Sequence, residues 1–174
     1  MTARPCTFPE ESALNGSFRE AADHVDAFTV TLSDPGRSLP DIFNGIFAHR
    51  PYWLRLLLVT RNVAAKACGL ATTPIRETLR PRVNTTAPKV GDTIGGWNIY
   101  TLAARELIVG RDNPHMDFRV SISKTDVPSA PAVIVATVCK TKNAMGRTYL
   151  SAILPFHSRG LRLLLDNAVA AGRL

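Results

Sequence analysis

Cysteine is scarce in this sequence: Cys6, Cys68 and Cys139 are the whole complement, an odd count without a CxxC pair. That excludes a disulfide framework and fits reduced thiols in a reducing compartment. Cys68 and Cys139 have apolar neighbours, so each reads as a small core residue before it reads as a nucleophile. No window approaches the roughly 20 apolar residues of a membrane span. The opening MTARPCTFPEESALNGSFRE lacks the unbroken apolar stretch of a secretory signal, and a cytoplasmic protein is expected. Aromatic residues make up only 7% of the chain and the basic residues never run together. The stacking platforms and basic tracts of nucleic-acid binders are therefore missing, and nucleic acid is not an expected partner. No GxGxxG follows a strand, which removes the dinucleotide-binding fingerprint.

What the chain does have is enough apolar residue for a core. With 174 residues, 45% of them apolar and 20% charged, it has the composition of one ordinary globular domain. Residues 1–20 are expected as a flexible tail ahead of a single domain at 21–174. The charge is uneven. Residues 1–50 hold four basic and seven acidic side chains, residues 51–174 seventeen and seven. Dispersed as it is, the positive excess reads first as solvated surface, with an attraction for anionic ligands second.

The pattern along the chain alternates between two periods. DAFTVTL, 26–32, sets Phe28, Val30 and Leu32 against Ala27, Thr29 and Thr31 and runs into the turn SDPG, as a strand would. Ser38 then offers an N-cap, and Ile42, Phe43, Ile46 and Phe47 follow at helical spacing. Pro51 opens a second helix that Gly69 would end. Residues 71–95, with Arg76, Arg80, Arg82 and Lys89, read as a long loop or flap. Strand patterns at 97–103, 105–111, 115–123 and 132–141, separated by short turns, predict an antiparallel meander. The last segment is a long helix with Asn143 as N-cap. Gly146, Leu150, Ile153, His157, Leu161, Leu164 and Ala168 share one side of it. Pro155 and the carbonyl it would displace, that of Ser151, both lie on the polar side, where water satisfies the carbonyl and the helix can continue.

Two features carry chemistry. HMDFRVSIS, 115–123, laces an apolar row, Met116, Phe118, Val120 and Ile122, with a polar row that includes His115, Asp117 and Arg119. With the apolar row inward, the polar row is an outer, solvated ladder worth little energetically. Turned inward, Asp117 would orient His115 as a general base and Arg119 would bind an enolate or carboxylate oxygen. His157, in the middle of an apolar helix stripe, is either a core histidine bonded to a backbone carbonyl or a polar group projecting into a cavity. A His115, Asp117, His157 metal set would have to converge across two elements, and no metal or other cofactor is expected.

The segments GDTIGGW (91–97), DNPHMDFRVS (112–121) and KNAMGRTYLSAILPFH (142–157) resemble one uncharacterised bacterial family of the START-like, or polyketide-cyclase-like, superfamily. The resemblance extends over about residues 20–168. It implies an α+β helix-grip fold: a curved antiparallel sheet wrapped around a long C-terminal helix, with two helices after the first strand. In that superfamily the sheet and helix enclose a cavity. Members bind lipids, sterols, hormones or polyketides, and some catalyse cyclisation or aldol-type reactions. The expected function is binding of an apolar or amphipathic small organic molecule, with room for an anionic end, by a monomer or homodimer. Trp97, Phe118, Asn143, Arg147, Tyr149 and Ile153 are the expected lining. The alternative is a cofactor-free cyclase, isomerase or hydrolase-like enzyme using His115, Asp117 and Arg119, joined by His157.

Overall fold

The computed structural model describes residues 2–49, 59, 88–125 and 130–174. The second expected helix and the flap residues Arg76, Arg80 and Arg82 lie outside the described residues, as does Cys68. Seven strands form one sheet: β1 (Arg4–Pro5), β2 (His24–Thr31), β3 (Thr93–Ile94), β4 (Trp97–Leu102), β5 (Glu106–Arg111), β6 (Met116–Lys124) and β7 (Ala132–Thr141). Their spatial order is β1-β2-β7-β6-β5-β4-β3, with every neighbouring pair antiparallel. The meander from β3 to β7 therefore pairs in sequence, and β2 returns to its far side. Among the described residues the helices are α1 (Ser17–Glu20), α2 (Leu39–Phe47) and α3 (Ala144–Ala170). This is an α+β protein with a curved antiparallel sheet and a C-terminal helix.

Local chemistry explains the boundaries. Ser38 accepts a hydrogen bond from the Asp41 N–H at the start of α2, and Asn143 accepts one from the Gly146 N–H at the start of α3. The two-residue loop Gly95–Gly96 between β3 and β4 has φ of +56° and +82°, the pair of left-handed residues that a tight hairpin turn requires. α3 runs unbroken for 27 residues through Pro155. Ser151 and Pro155 are both exposed, as the helical wheel requires if water is to serve the freed carbonyl.

The inner face of the sheet holds the main core. Phe28 and Val30 of β2, Val120 and Ile122 of β6, and Val133 and Val135 of β7 pack with Leu161, Leu164, Leu165 and Ala168 of α3 and with Ile42, Phe43, Ile46 and Phe47 of α2. The apolar row of β6 thus faces the helix. A smaller cluster, Met116, Cys139 and Leu150 with Phe118, Tyr149, Ile153 and Leu154 against it, continues the layer under the first half of α3.

The outer face is covered as well. Residues 1–20 were expected as a flexible tail, but three of them, Phe8, Leu14 and Phe18, lie against Ile108, Val138 and Tyr100. The reason is in the outer face itself, where Ile108 and Val138 need a partner to leave water. β1 pairs with β2, and the Ala3 N–H donates to Asp166 Oδ1 at 2.6 Å, which ties this segment to α3.

Candidate functional site

Strand parity places His24 and Asp26 of β2 on the same side as Phe28 and Val30, facing the helix. In the β2–β7 register Asp26 stands opposite Thr137, and His24 opposite Cys139. From above, α3 lowers His157 and Ser158 onto these residues. His157 Nε2 is 3.3 Å from Thr137 Oγ1 and 3.7 Å from Asp26 Oδ2. His24 Nε2 is 3.3 Å from the same carboxylate oxygen, and the Ser158 hydroxyl donates to it at 3.1 Å. The two imidazole rings stand nearly perpendicular, at 89°, with centroids 6.0 Å apart. A polar cluster of two histidines, one carboxylate and two hydroxyls thus occupies the layer between sheet and helix.

The cluster is incompletely satisfied. His24 Nε2 approaches Asp26 Oδ2 off the hydrogen-bonding direction. That buried nitrogen and Asp26 Oδ1 have no hydrogen-bond partner among the described residues. A buried polar atom left unpaired costs about 1–3 kcal/mol, so such atoms call for a specific reason. Burial pushes the Asp26 carboxyl upward, but His157, His24 and the Ser158 hydroxyl outweigh it, so the group lies below the usual aspartate range. Cys139 differs: burial first, then the Asp26 and Asp23 charges, push its thiol up to about 12. It is a neutral side chain at physiological pH, as its core environment suggested.

A Cβ built on Gly160, one turn beyond His157, would meet nothing within 4 Å. Gly146 is the opposite case: a Cβ there would collide with the His115 carbonyl oxygen, so this glycine lets α3 approach the start of β6.

The residues expected to act together at 115–119 are held apart by separate partners. His115 Nδ1 lies 3.0 Å from Asn143 Nδ2 and 3.3 Å from Asn143 Oδ1, beside the N-cap of α3. Asp117 pairs with Lys142 at 2.7 Å and accepts from the Asn113 N–H at 3.1 Å. Arg119 turns to the outer face and pairs with Asp112 at 2.6 Å. Its guanidinium is stacked 3.6 Å from the Tyr100 ring centroid and 4.9 Å from that of Phe18. The ladder is on the outer face, with His115 and Asp117 half-buried and Arg119 buried. Arg119 is only 9% exposed, because the N-terminal segment lies over it.

The expected lining divides in the same way. Phe118, Tyr149 and Ile153 pack on the cluster around Cys139, near His24 and His157. Trp97 sits farther along the sheet in an aromatic group, 5.5 Å from Phe43, 5.1 Å from Phe47 and 5.4 Å from Phe118. Asn143 is a helix cap, and Arg147 is exposed on α3. An open polar cleft of about 410 Å³ lies elsewhere, at the β3–β4 end of the sheet, lined by Thr93, Gly96, Asn98, Arg111, Asp112 and Asn113.

The model of one protein family, described as "Protein of unknown function (DUF2867)", matches residues 19–162. The chain belongs to the DUF2867 family. No curated protein and no solved structure matches it. In this DUF2867 chain, His24, Asp26, Thr137, His157 and Ser158 all fall inside the matched span, whereas Phe8, Ser12, Leu14 and Phe18 precede it.

His157 was legible from the helical wheel, but His24 and Asp26 were missed. The signal was present: extending the alternation of Phe28 and Val30 back by two and four residues puts both on the inner face. The strand was expected to begin at residue 26, and it begins at His24.

Proposed function

We propose that this chain is a helix-grip, START-like domain that binds a small amphipathic organic molecule. Its apolar body would lie against Phe118, Tyr149 and Ile153, and its polar end against His24, Asp26 and His157. The observation that carries this reading is the pair of buried atoms His24 Nε2 and Asp26 Oδ1, which have no hydrogen-bond partner among the described residues and lie next to an apolar cluster. A ligand hydroxyl is the complement of such a pair, since it donates to the carboxylate and accepts from the imidazole. The half-buried state of all three cluster side chains leaves a route to them from solvent.

The test is a titration with 2-naphthol, a fluorescent hydroxylated aromatic, together with native mass spectrometry of the purified protein. Saturable one-site binding is expected, weakened about tenfold in Asp26→Ala, the loss of one hydrogen bond to a charged group. A chain that binds no naphthol, and from which organic extraction recovers nothing, would sink the proposal.

A cofactor-free enzyme is the second reading, and one observation shifts its machinery. His115, Asp117 and Arg119 each engage different partners, whereas His157 lies against a carboxylate held in its ionised form. Asp26 would stabilise the imidazolium that forms when His157 takes a proton. Turnover of a bound molecule that survives His115→Ala and disappears in His157→Gln would favour this reading.

A further inference from the structure

We propose that His24, Asp26 and His157 form a site for one divalent transition cation, with Zn²⁺ the best match. Each residue offers one ligand atom, and the three atoms lie within 4.8 Å of one another. Two imidazole nitrogens and a carboxylate oxygen are a donor set of the kind that holds zinc in enzymes that keep an open coordination position. The geometry is close to what the ion requires. With bonds of about 2.0–2.1 Å, tetrahedral ligand atoms sit roughly 3.4 Å apart, against about 3.0 Å for neighbouring octahedral positions. The two histidine nitrogens lie 3.3 and 3.7 Å from Asp26 Oδ2, nearer the tetrahedral value. Rotation of an imidazole about its terminal torsion, which is soft, would close the third edge.

Independent features of the cluster point the same way. His24 Nε2 and Asp26 Oδ1 are buried without hydrogen-bond partners among the described residues, and a cation bound between these side chains would engage the nitrogen directly. The Ser158 hydroxyl already donates to Asp26 Oδ2, as outer groups do when they orient a metal-bound carboxylate. Two ligands come from a strand at i and i+2 and the third from a helix packed on it, so the site is assembled only in the folded chain. The set differs from the one the sequence suggested: His115 and Asp117 take no part, and His157 alone is common to both. A bound cation would also let the site accept an anionic ligand end beside an ionised aspartate.

This inference names what the cluster of the proposed function would carry, and it rests on that cluster being an open binding site. The experiment is zinc loading of the full chain in the absence of any organic ligand, followed by desalting and elemental analysis. One Zn²⁺ per chain is expected, and Co²⁺ in its place should give the visible d–d bands of a four-coordinate site. His24→Ala, Asp26→Asn and His157→Ala should each weaken binding by more than about 100-fold, beyond what loss of an outer partner costs. His115→Ala should bind as the parent does. Far-UV circular dichroism identifies any variant that fails to fold, and His157→Gln, close in shape, then replaces it. Zinc retention unchanged in His24→Ala and His157→Gln, or no retention by the parent, would overturn the site. Naphthol binding by chelator-treated protein without zinc binding would leave the organic-ligand reading standing, and zinc binding without naphthol binding would do the reverse.

Discussion

On the outer face of the sheet, buried Glu106 accepts from Ser12 Oγ and Ser121 Oγ, each at 2.5 Å, and from the Ala13 N–H at 2.8 Å. Arg119, farther along the same face, has a carboxylate, the Phe118 and Arg111 carbonyls and two aromatic rings. On the inner face His24 and Asp26 are half-buried, but His24 Nε2 and Asp26 Oδ1 are themselves buried atoms, and neither has a hydrogen-bond partner among the described residues. Burial alone therefore does not separate a structural polar group from a functional one. Completeness of its partners does: the outer groups join the N-terminal segment to the sheet, and the inner ones have capacity left for something else.

This contrast can be broken at its strongest point first. Glu106→Ala strands two serine hydroxyls and a backbone N–H under the N-terminal segment. We expect a loss of about 3 kcal/mol, at roughly 1 kcal/mol or more per stranded donor, measured by urea denaturation. Arg119→Ala should cost about 1–2 kcal/mol, mainly through the lost stacking on Tyr100 and Phe18, since its partner Asp112 is half-exposed. On the inner face the same kind of change should behave differently. His24→Phe is expected to alter stability by less than about 1 kcal/mol in either direction while it abolishes ligand or metal binding, because incompletely paired polar groups can be replaced by apolar ones at little loss. A loss there as large as that at Glu106 would erase the distinction.

Two smaller effects sharpen the comparison. Burial raises the Asp112 carboxyl, but Arg119 and Tyr100 hold it below its ordinary value of 3.8 overall. A depressed folded value means that the stabilisation is fully present above pH 3.8 and is lost as the pH falls through the lower folded value. Asp112→Asn should therefore be less stable than the parent near neutral pH, with the difference shrinking in acid. Denaturation at a series of pH values checks the sign. Smallest of all, Gly160→Ala should raise stability by about 0.5–1 kcal/mol, since a helical glycine is replaced where a Cβ meets open space. A fall in its thermal midpoint would mean that the surroundings of Gly160 are not open.

Much of the local structure was readable in advance. Ser38 and Asn143 as caps, the antiparallel meander, and a helix that continues through Pro155 follow from side-chain chemistry within a few residues. The site was less readable. His115, Asp117 and Arg119 alternate like a catalytic row, but alternation says only that they share a side, not which groups on other segments will meet them. Lys142, Asn143, Asp112 and Phe18 are the groups that do, and these come from turns, a helix cap and the N-terminal segment.

Determined by the sequence alone were the periodicities of strand and helix, the caps and the apolar stripe containing His157. These depend on neighbours within one or two turns of chain. The tertiary structure decided which polar groups are satisfied, because that depends on contacts between residues far apart: Ser12 with Glu106, Phe18 with Arg119, His24 and Asp26 with His157. Hydrogen-bond capacity and metal-ligand spacing are properties of atoms within a few ångströms in space. Only folding brings a strand near the start of the chain beneath a helix near its end.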